Sequence, residues 1–148
     1  MEKCKIPKTI IVADEDDRLL INEAFNNSCQ CFNLQIVGDG EELLEVLHNK
    51  GKNPDLILLD LNMPRMDGFE VLESIKGDPQ LKKIPVIIFT TTDEQSALAK
   101  TYCNGANSFI RKPATFEQLS HIVKVIASYW CEIVLLPDGF NCPPEESA

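Results

Sequence analysis

Apolar residues along this chain occur in short runs, separated by segments in which they recur at helical spacing. Five short runs predict β-strands at residues 9–13, 34–37, 56–59, 86–90 and 108–112. The run at 56–59 is continuously aliphatic, which is typical of a strand buried on both faces of a parallel sheet. Each run is followed by a segment with helical periodicity. This strict alternation predicts an α/β domain with a parallel sheet, helices on both faces and right-handed crossovers.

Capping residues predict where several of these helices begin and end. Asp16 or Asp17 is suited to cap the first helix, and Asp93 is suited to cap the fourth. Gly105 is well placed to end the fourth helix, and Thr115 opens a capping-box pattern at the fifth. We therefore expect the domain to span residues 9–130, after an N-terminal segment (1–8) and before a partly disordered tail (131–148).

Composition restricts the classes of function. The chain has 148 residues, of which 44% are hydrophobic, which suits one domain with a substantial core. No apolar run is long enough to span a membrane, and the N-terminus lacks a signal-peptide pattern, so we expect a cytoplasmic protein without a membrane partner. The net charge of −9 argues against a nucleic-acid partner. The six scattered cysteines lack zinc-site spacing, and we expect reduced thiols.

Polar side chains lie at the ends of four predicted strands, either as the last residue of the strand or directly after it, at the edge where the carboxyl ends of parallel strands meet. They are Asp14 and Glu15, Asp60, Thr90 and Lys112. Three carboxylates in close quarters need a hard divalent cation, and a carboxylate beside such an ion can attack phosphorus. The ammonium and the hydroxyl suit the equatorial oxygens of a phosphoryl group. Because no serine, cysteine or histidine at this edge forms a rival nucleophile–base pair, the residues predict phosphoryl transfer.

Four segments of the chain match a known family. They are the acidic pair Asp14–Glu15, "DLNMPRMDG" (60–68), "FTT" (89–91) and "RKP" (111–113). Over roughly residues 8–130 the chain resembles the CheY-like receiver domains of two-component response regulators. The segments "GANSFIRKP" and "ASYW" look most like the stand-alone receivers that serve bacteriophytochrome-type kinases. The resemblance implies a flavodoxin-like (βα)5 fold with strand order 2-1-3-4-5.

The resemblance also implies a role for individual residues. Asp60 matches the phosphoacceptor, and Mg²⁺ would be held by Asp14, Glu15, Asp60 and the backbone carbonyl of Asn62. The remaining matches are the switch hydroxyl of Thr90, the phosphate-binding Lys112, the aromatic switch residue Phe109, and Pro113 after a cis peptide bond. The family more often has Asp-Asp or Glu-Asp as its acidic pair, so Glu15 departs from the pattern and Asp16 competes for a metal role.

The resemblance implies a single-domain response regulator of a phosphorelay. A sensor histidine kinase or phosphotransfer protein would phosphorylate Asp60, and the chain would catalyse only its own phosphorylation and dephosphorylation. Its output would be partner binding or homodimer formation through the surface of residues 93–130. Two alternatives are a degenerate, phosphorylation-independent receiver and a Mg²⁺-dependent phosphatase of the haloacid dehalogenase type. The phosphatase motif needs a second aspartate where this chain has Asn62.

Overall fold

The structure is a computed structural model that describes residues 8–28, 32–49, 53–92 and 94–137. Strands and helices alternate strictly along these residues, as the hydrophobic pattern predicts. The strands are β1 (Lys8–Ala13), β2 (Phe32–Val37), β3 (Leu56–Leu59), β4 (Val86–Thr90) and β5 (Ser108–Arg111). The helices are α1 (Arg18–Asn26), α2 (Gly40–Asn49), α3 (Gly68–Lys76), α4 (Gln95–Cys103) and α5 (Phe116–Ser128), followed by a π-helical turn (Tyr129–Ile133). No helix within the described ranges is both long and apolar enough to span a membrane.

The strands form one parallel sheet in the order β2-β1-β3-β4-β5, which confirms the expected flavodoxin-like topology. The register matters for the site. Ala13, the last residue of β1, lies opposite Leu59, the last residue of β3. The residues that follow these two strands, Asp14 and Asp60, are therefore neighbours at the carboxyl edge of the sheet.

The central strands are buried on both faces, because each face is covered by helices. Every residue of β3 and of β4 is buried. Ile57 and Leu59 pack with residues of α2 and α3, while Leu56 and Leu58 pack with residues of α1 and α5. Burial of a large aliphatic side chain contributes about 1.5–3 kcal/mol to folding. The strand that ends one residue before Asp60 is thus fixed from both sides.

The predicted helix boundaries are largely confirmed. The Thr115 side chain accepts a hydrogen bond from the Gln118 amide (3.2 Å) at the start of α5. Gly105, two residues after the last residue of α4, has φ +100°, a conformation that glycine adopts without steric cost. The expected cap Asp93 lies outside the described residues, and Glu94 occupies the N-cap position of α4.

The end of the domain is helical for longer than the sequence pattern indicates. The π-helical turn carries the chain from Tyr129 to Ile133 and buries Cys131 against the α1–α5 side of the sheet. Trp130 packs against the same cluster. The domain boundary at residue 130 stays a prediction. The N-terminal segment up to residue 7 and the tail beyond residue 137 lie outside the described residues.

Candidate functional site

The backbone of the sheet continues one residue past the strands, and this continuation positions the site. The Asp60 amide donates to the Ala13 carbonyl (3.0 Å), and the Asp14 amide donates to the Val37 carbonyl (3.0 Å). On the other side, the Lys112 amide donates to the Thr90 carbonyl (2.7 Å). The side chains that follow β1, β3 and β5 are therefore held by sheet-type hydrogen bonds.

The Lys112 ammonium is the centre of the site. Its Nζ lies 2.5 Å from Asp14 Oδ2, 2.8 Å from Asp17 Oδ2 and 3.1 Å from Asp60 Oδ2. The Lys112 side chain is only 8% exposed, and those of Asp14 and Asp60 are 1% and 5% exposed, whereas Asp17 is 37% exposed. Ion pairs with so little access to water are screened far less than surface pairs. We call Asp14, Asp17, Asp60 and Lys112 the ion cluster.

Charge in the ion cluster is unbalanced, because three carboxylates share one ammonium. Burial raises the pKa of Asp14 above its ordinary value, although hydrogen bonds from Lys112 and the Asp17 backbone act in the opposite direction. Burial alone would lower the pKa of Lys112, but hydrogen bonds to Asp14 and Asp17 and the charges of Asp14 and Asp60 outweigh it and raise that pKa. The site is therefore short of positive charge, which favours an additional cation.

Each buried carboxylate has one oxygen fixed by the backbone and the other directed at Lys112. Asp14 Oδ1 accepts hydrogen bonds from the amides of Asp16 (3.0 Å) and Asp17 (2.9 Å). Asp60 Oδ1 accepts one from the Asn62 amide (3.2 Å). These bonds fix the rotamers of Asp14 and Asp60 and leave their Oδ2 atoms facing the same ammonium.

Thr90 lies at the same carboxyl edge of the sheet as the ion cluster. The residue is fully buried at the end of β4, next to the strand that precedes Asp60. Its Oγ1 has no hydrogen-bond partner among the residues that the structure describes. A buried hydroxyl without a partner costs about 1–3 kcal/mol, so the unpaired Thr90 hydroxyl destabilises the resting fold. The same hydroxyl is available to donate a hydrogen bond when an acceptor binds at the site.

The structure leaves two expected site residues away from the ion cluster. Glu15 is exposed, and so is Asp16, which contacts Asp14 through its backbone amide. Phe109 is half-buried in β5 and packs against the core cluster on the α2–α3 side of the sheet. Within the described ranges, no group of three or more His, Cys, Asp or Glu side chains is arranged to hold a metal. The carboxylates of Asp14 and Asp60 are instead joined through the Lys112 ammonium.

Two further findings differ from the expectations. The Lys112–Pro113 bond is trans, since no described peptide bond is cis, so the expected cis bond is wrong. The trans form is favoured by about 0.5–1 kcal/mol for bonds that precede proline, and Lys112 reaches its carboxylates with this form. Asp17 belongs to the site although sequence reasoning treated it only as a helix cap. Its position at the start of α1, three residues after Asp14, is the signal that would have found it.

Similarity to known proteins identifies the family of this chain. The sequence pattern described as "Response regulator receiver domain" matches residues 10–124. The chain belongs to the response regulator receiver family. It is 36% identical to response regulator Rcp1 of Synechocystis over 138 residues, which cover 88% of this chain and 94% of Rcp1. It is 37% identical over 128 residues to the probable methanogenesis regulatory protein FilR2 of Methanothrix harundinacea, covering 82% of this chain and 83% of FilR2.

Solved structures give the same result. The phosphorylated cyanobacterial phytochrome response regulator RcpA superposes with a TM-score of 0.84 at 39% identity, covering 89% of this chain and 99% of RcpA. The Mn²⁺-bound form of Rcp1 superposes with a TM-score of 0.82 at 35% identity, covering 89% of this chain and 100% of that structure. The resemblance to receivers associated with phytochromes is thereby confirmed.

Membership of the family establishes the general function. The chain is a response regulator receiver domain of two-component signalling rather than a conventional enzyme. Phosphorylation on an aspartate by a kinase is standard for this family, and receiver domains bind a divalent metal at the phosphorylation site. Receiver domains of response regulators interact with histidine kinases or phosphotransfer proteins.

Proposed function

We propose that this receiver is switched by a phosphoryl group on Asp60, which it takes from a phosphohistidine of a kinase or phosphotransfer protein. The observation that carries the proposal is the surrounding of Asp60 Oδ2. This oxygen is buried, fixed in position, and 3.1 Å from the Lys112 ammonium. An anionic nucleophile held beside a cation is suited to attack an electrophilic phosphorus.

The transfer follows from the residues of the site. A carboxylate oxygen of Asp60 attacks phosphorus in line with the departing imidazole nitrogen, so that a P–O bond forms while the P–N bond breaks. The electron pair of the broken bond stays on the imidazole, which takes a proton from solvent. Lys112 neutralises charge on one phosphoryl oxygen, and the unused hydroxyl of Thr90 donates to another. Attack by water on the same phosphorus later returns Asp60 and inorganic phosphate.

The donors at the site fit a hard divalent cation, which we propose is Mg²⁺. Asp14 and Asp60 offer two buried carboxylates that lack sufficient compensating charge. These two residues and the backbone carbonyl of Asn62 would hold the ion, with exposed Glu15 acting directly or through water. When bound, the ion neutralises charge on the phosphoryl oxygens in the transition state.

The output surface that we propose consists of α4, β5 and α5, within residues 93–130. Thr90 ends β4, and its neighbour β5 carries Phe109, whose strand register pairs it with Ile88. A hydrogen bond from Thr90 to the phosphoryl group moves the hydroxyl toward Asp60, which gives the Phe109 ring room to turn inward. Exposed apolar side chains on this surface, Tyr102 and Val125, favour self-association or docking of a partner protein.

Relatives suggest the upstream partner. RcpA is described as a phytochrome response regulator, and this chain is 39% identical to it. We propose a histidine kinase of the phytochrome type as the phosphoryl donor of this chain.

Intact-mass spectrometry tests the phosphoacceptor. With Mg²⁺ and acetyl phosphate, the parent chain is expected to gain the mass of one phosphoryl group, and chelation of the metal is expected to prevent the gain. Asp60→Asn should remove the adduct. Asp67→Asn, which neutralises an exposed carboxylate later in the same loop, should retain it. An adduct of equal yield in Asp60→Asn would refute the assignment.

A further inference from the structure

Asp17 is the one carboxylate of the ion cluster that the proposed cation would not use. Lys112 Nζ is 2.8 Å from Asp17, which places this contact between those to Asp14 (2.5 Å) and Asp60 (3.1 Å). The Asp17 side chain is 37% exposed, while its two fellow carboxylates are almost entirely buried. The cluster thus combines two inner carboxylates with one at its rim.

The Asp17 side chain does not cap helix α1, although Asp17 occupies the N-cap position. It occupies the N-cap position of α1, where an aspartate ordinarily accepts a hydrogen bond from an amide of the first helical turn. Here its side chain makes no capping bond, and its backbone has φ −111° and ψ 25° rather than the extended conformation of an ordinary cap. The backbone amide of Asp17 donates to Asp14 Oδ1 (2.9 Å), which curls the β1–α1 loop and brings the carboxylate to Lys112.

A cation between Asp14 and Asp60 would compete with Lys112 for the same two oxygens. The ammonium and the cation repel each other, and an ammonium that is 8% exposed is costly without a carboxylate partner. Among the residues that the structure describes, the ion-pair partners of Lys112 are the three members of the cluster. Only Asp17 remains when the other two bind the cation.

We propose that Asp17 holds the Lys112 ammonium when a divalent cation takes Asp14 and Asp60, an inference that rests on the proposed function. Asp17 is thereby a positioning residue that acts through Lys112. With Asp17 as its partner, the Lys112 ammonium can leave the carboxylates of Asp14 and Asp60 free to bind the cation. The ammonium still remains beside Asp60, where the phosphoryl group would bind. Without Asp17, Lys112 stays on Asp14 and Asp60 and opposes the cation.

A double-mutant cycle on metal affinity tests this inference without any phosphorylation step. Calorimetric titration of Mg²⁺ compares the parent chain with Asp17→Asn, Lys112→Met and the double variant. Asp17→Asn should weaken Mg²⁺ binding by roughly tenfold, the lower end of the effect of removing a residue that orients metal ligands. In the Lys112→Met background the same change should matter by less than about twofold, because the ammonium that Asp17 holds is absent. Asp16→Asn, an exposed carboxylate next to Asp17, should also change affinity by less than about twofold.

The outcomes separate this inference from the function on which it rests. A parent chain that binds no Mg²⁺ overturns both. If the parent binds Mg²⁺ and Asp17→Asn weakens binding equally in the parent and Lys112→Met backgrounds, Asp17 acts as a direct ligand or through its charge alone. That result overturns the inference but leaves the proposed function standing. An Asp17→Asn variant with parental affinity does the same.

Exchange of the Lys112 ammonium protons, followed by NMR in Mg²⁺-saturated protein, gives a test that does not depend on the folding of Lys112→Met. In the parent these protons should exchange slowly, since the ammonium is buried and paired. In Asp17→Asn their exchange should accelerate by about tenfold or more, corresponding to the loss of one ion pair. Equal exchange rates would overturn the inference.

Discussion

Replacing Lys112 by methionine removes the only ammonium of the ion cluster while keeping most of the side-chain volume. The change leaves Asp14 and Asp60, both almost fully buried, without their counter-charge. Breaking a buried ion pair by removing one partner costs about 3–5 kcal/mol, because it leaves an uncompensated buried charge. Asp17 is partly solvated, so we expect a loss of about 3 kcal/mol in the free energy of unfolding, at the lower end of that range.

The pH dependence of this loss follows from the raised pKa of Asp14. A carboxyl group whose pKa is higher in the folded state binds its proton more tightly there. Its contribution to stability is therefore fully present below the unfolded pKa, near 3.8, and is lost as the pH rises through the folded pKa. Removing Lys112 also removes two effects that lower the pKa of Asp14. Lowering the pH from neutrality should thus restore part of the stability of Lys112→Met.

Urea unfolding in a metal chelator measures the effect, with the single tryptophan, Trp130, and circular dichroism as probes. We expect Lys112→Met to lose about 3 kcal/mol at neutral pH, which corresponds to roughly 6–12 °C in melting temperature for a domain of this size. Lys124→Met, which changes an exposed lysine on α5, should stay within about 0.5 kcal/mol of the parent. A loss below about 1 kcal/mol in Lys112→Met, or a loss that grows on acidification, would refute the reasoning.

Three further changes follow from the same geometry. Thr90→Ala removes a buried hydroxyl without a partner, so the free energy of unfolding of the resting protein should rise by up to about 1 kcal/mol. The same variant should lose the amide-exchange response of residues 94–130 to beryllofluoride, and an intact response would contradict the proposed switch. Gly68→Ala should cost about 3 kcal/mol in urea unfolding, because a Cβ there would lie 2.4 Å from the Asp60 carbonyl oxygen, and a neutral result would contradict this packing. Mg²⁺ at a hundredfold excess over its dissociation constant should raise parental stability by about 2.7 kcal/mol in thermal melts, and Asp14→Asn should lose most of that gain. An equal gain in Asp14→Asn would place the metal elsewhere.

Much of the site could be predicted because it depends on strand ends. A parallel sheet brings the carboxyl ends of its strands to one edge, and the aliphatic runs show where those strands stop. Asp60, Thr90 and Lys112 were therefore predicted as polar residues at strand ends, and the structure places all three at the carboxyl edge of the sheet, with Lys112 Nζ 3.1 Å from Asp60 Oδ2. The buried strand β3, which ends one residue before Asp60, was predicted with its observed bounds.

The rest depends on loop geometry, which a hydrophobic pattern does not encode. The amides of Asp16 and Asp17 both bind Asp14 Oδ1, and this turn leaves Glu15 in solvent while Asp17 reaches Lys112. From spacing alone, Glu15 is predicted to act with Asp14 because the two residues are adjacent in the sequence. The isomer of the Lys112–Pro113 bond likewise depends on tertiary context rather than on the residues themselves.

The start of α3 is fixed by a helix cap that the hydrophobic pattern did not predict. Asp67 and Glu70 form a reciprocal capping box at the start of α3, with bonds of 3.0 and 3.2 Å. The helical periodicity of the apolar residues after β3 predicts this helix but not its cap. Because the box satisfies two amides at that end, it fixes the loop that leads from Asp60 to α3.

The central claim, that Asp60 accepts the phosphoryl group, is tested most directly by locating the acyl phosphate in the chain. Borohydride reduces an aspartyl phosphate to homoserine, and tandem mass spectrometry of the peptides then identifies the reduced residue. After incubation with Mg²⁺ and acetyl phosphate, we predict homoserine at position 60 and at no other aspartate. Homoserine at Asp14 or Asp17, or none at position 60 in a chain whose intact mass shows the phosphoryl adduct, would contradict the account.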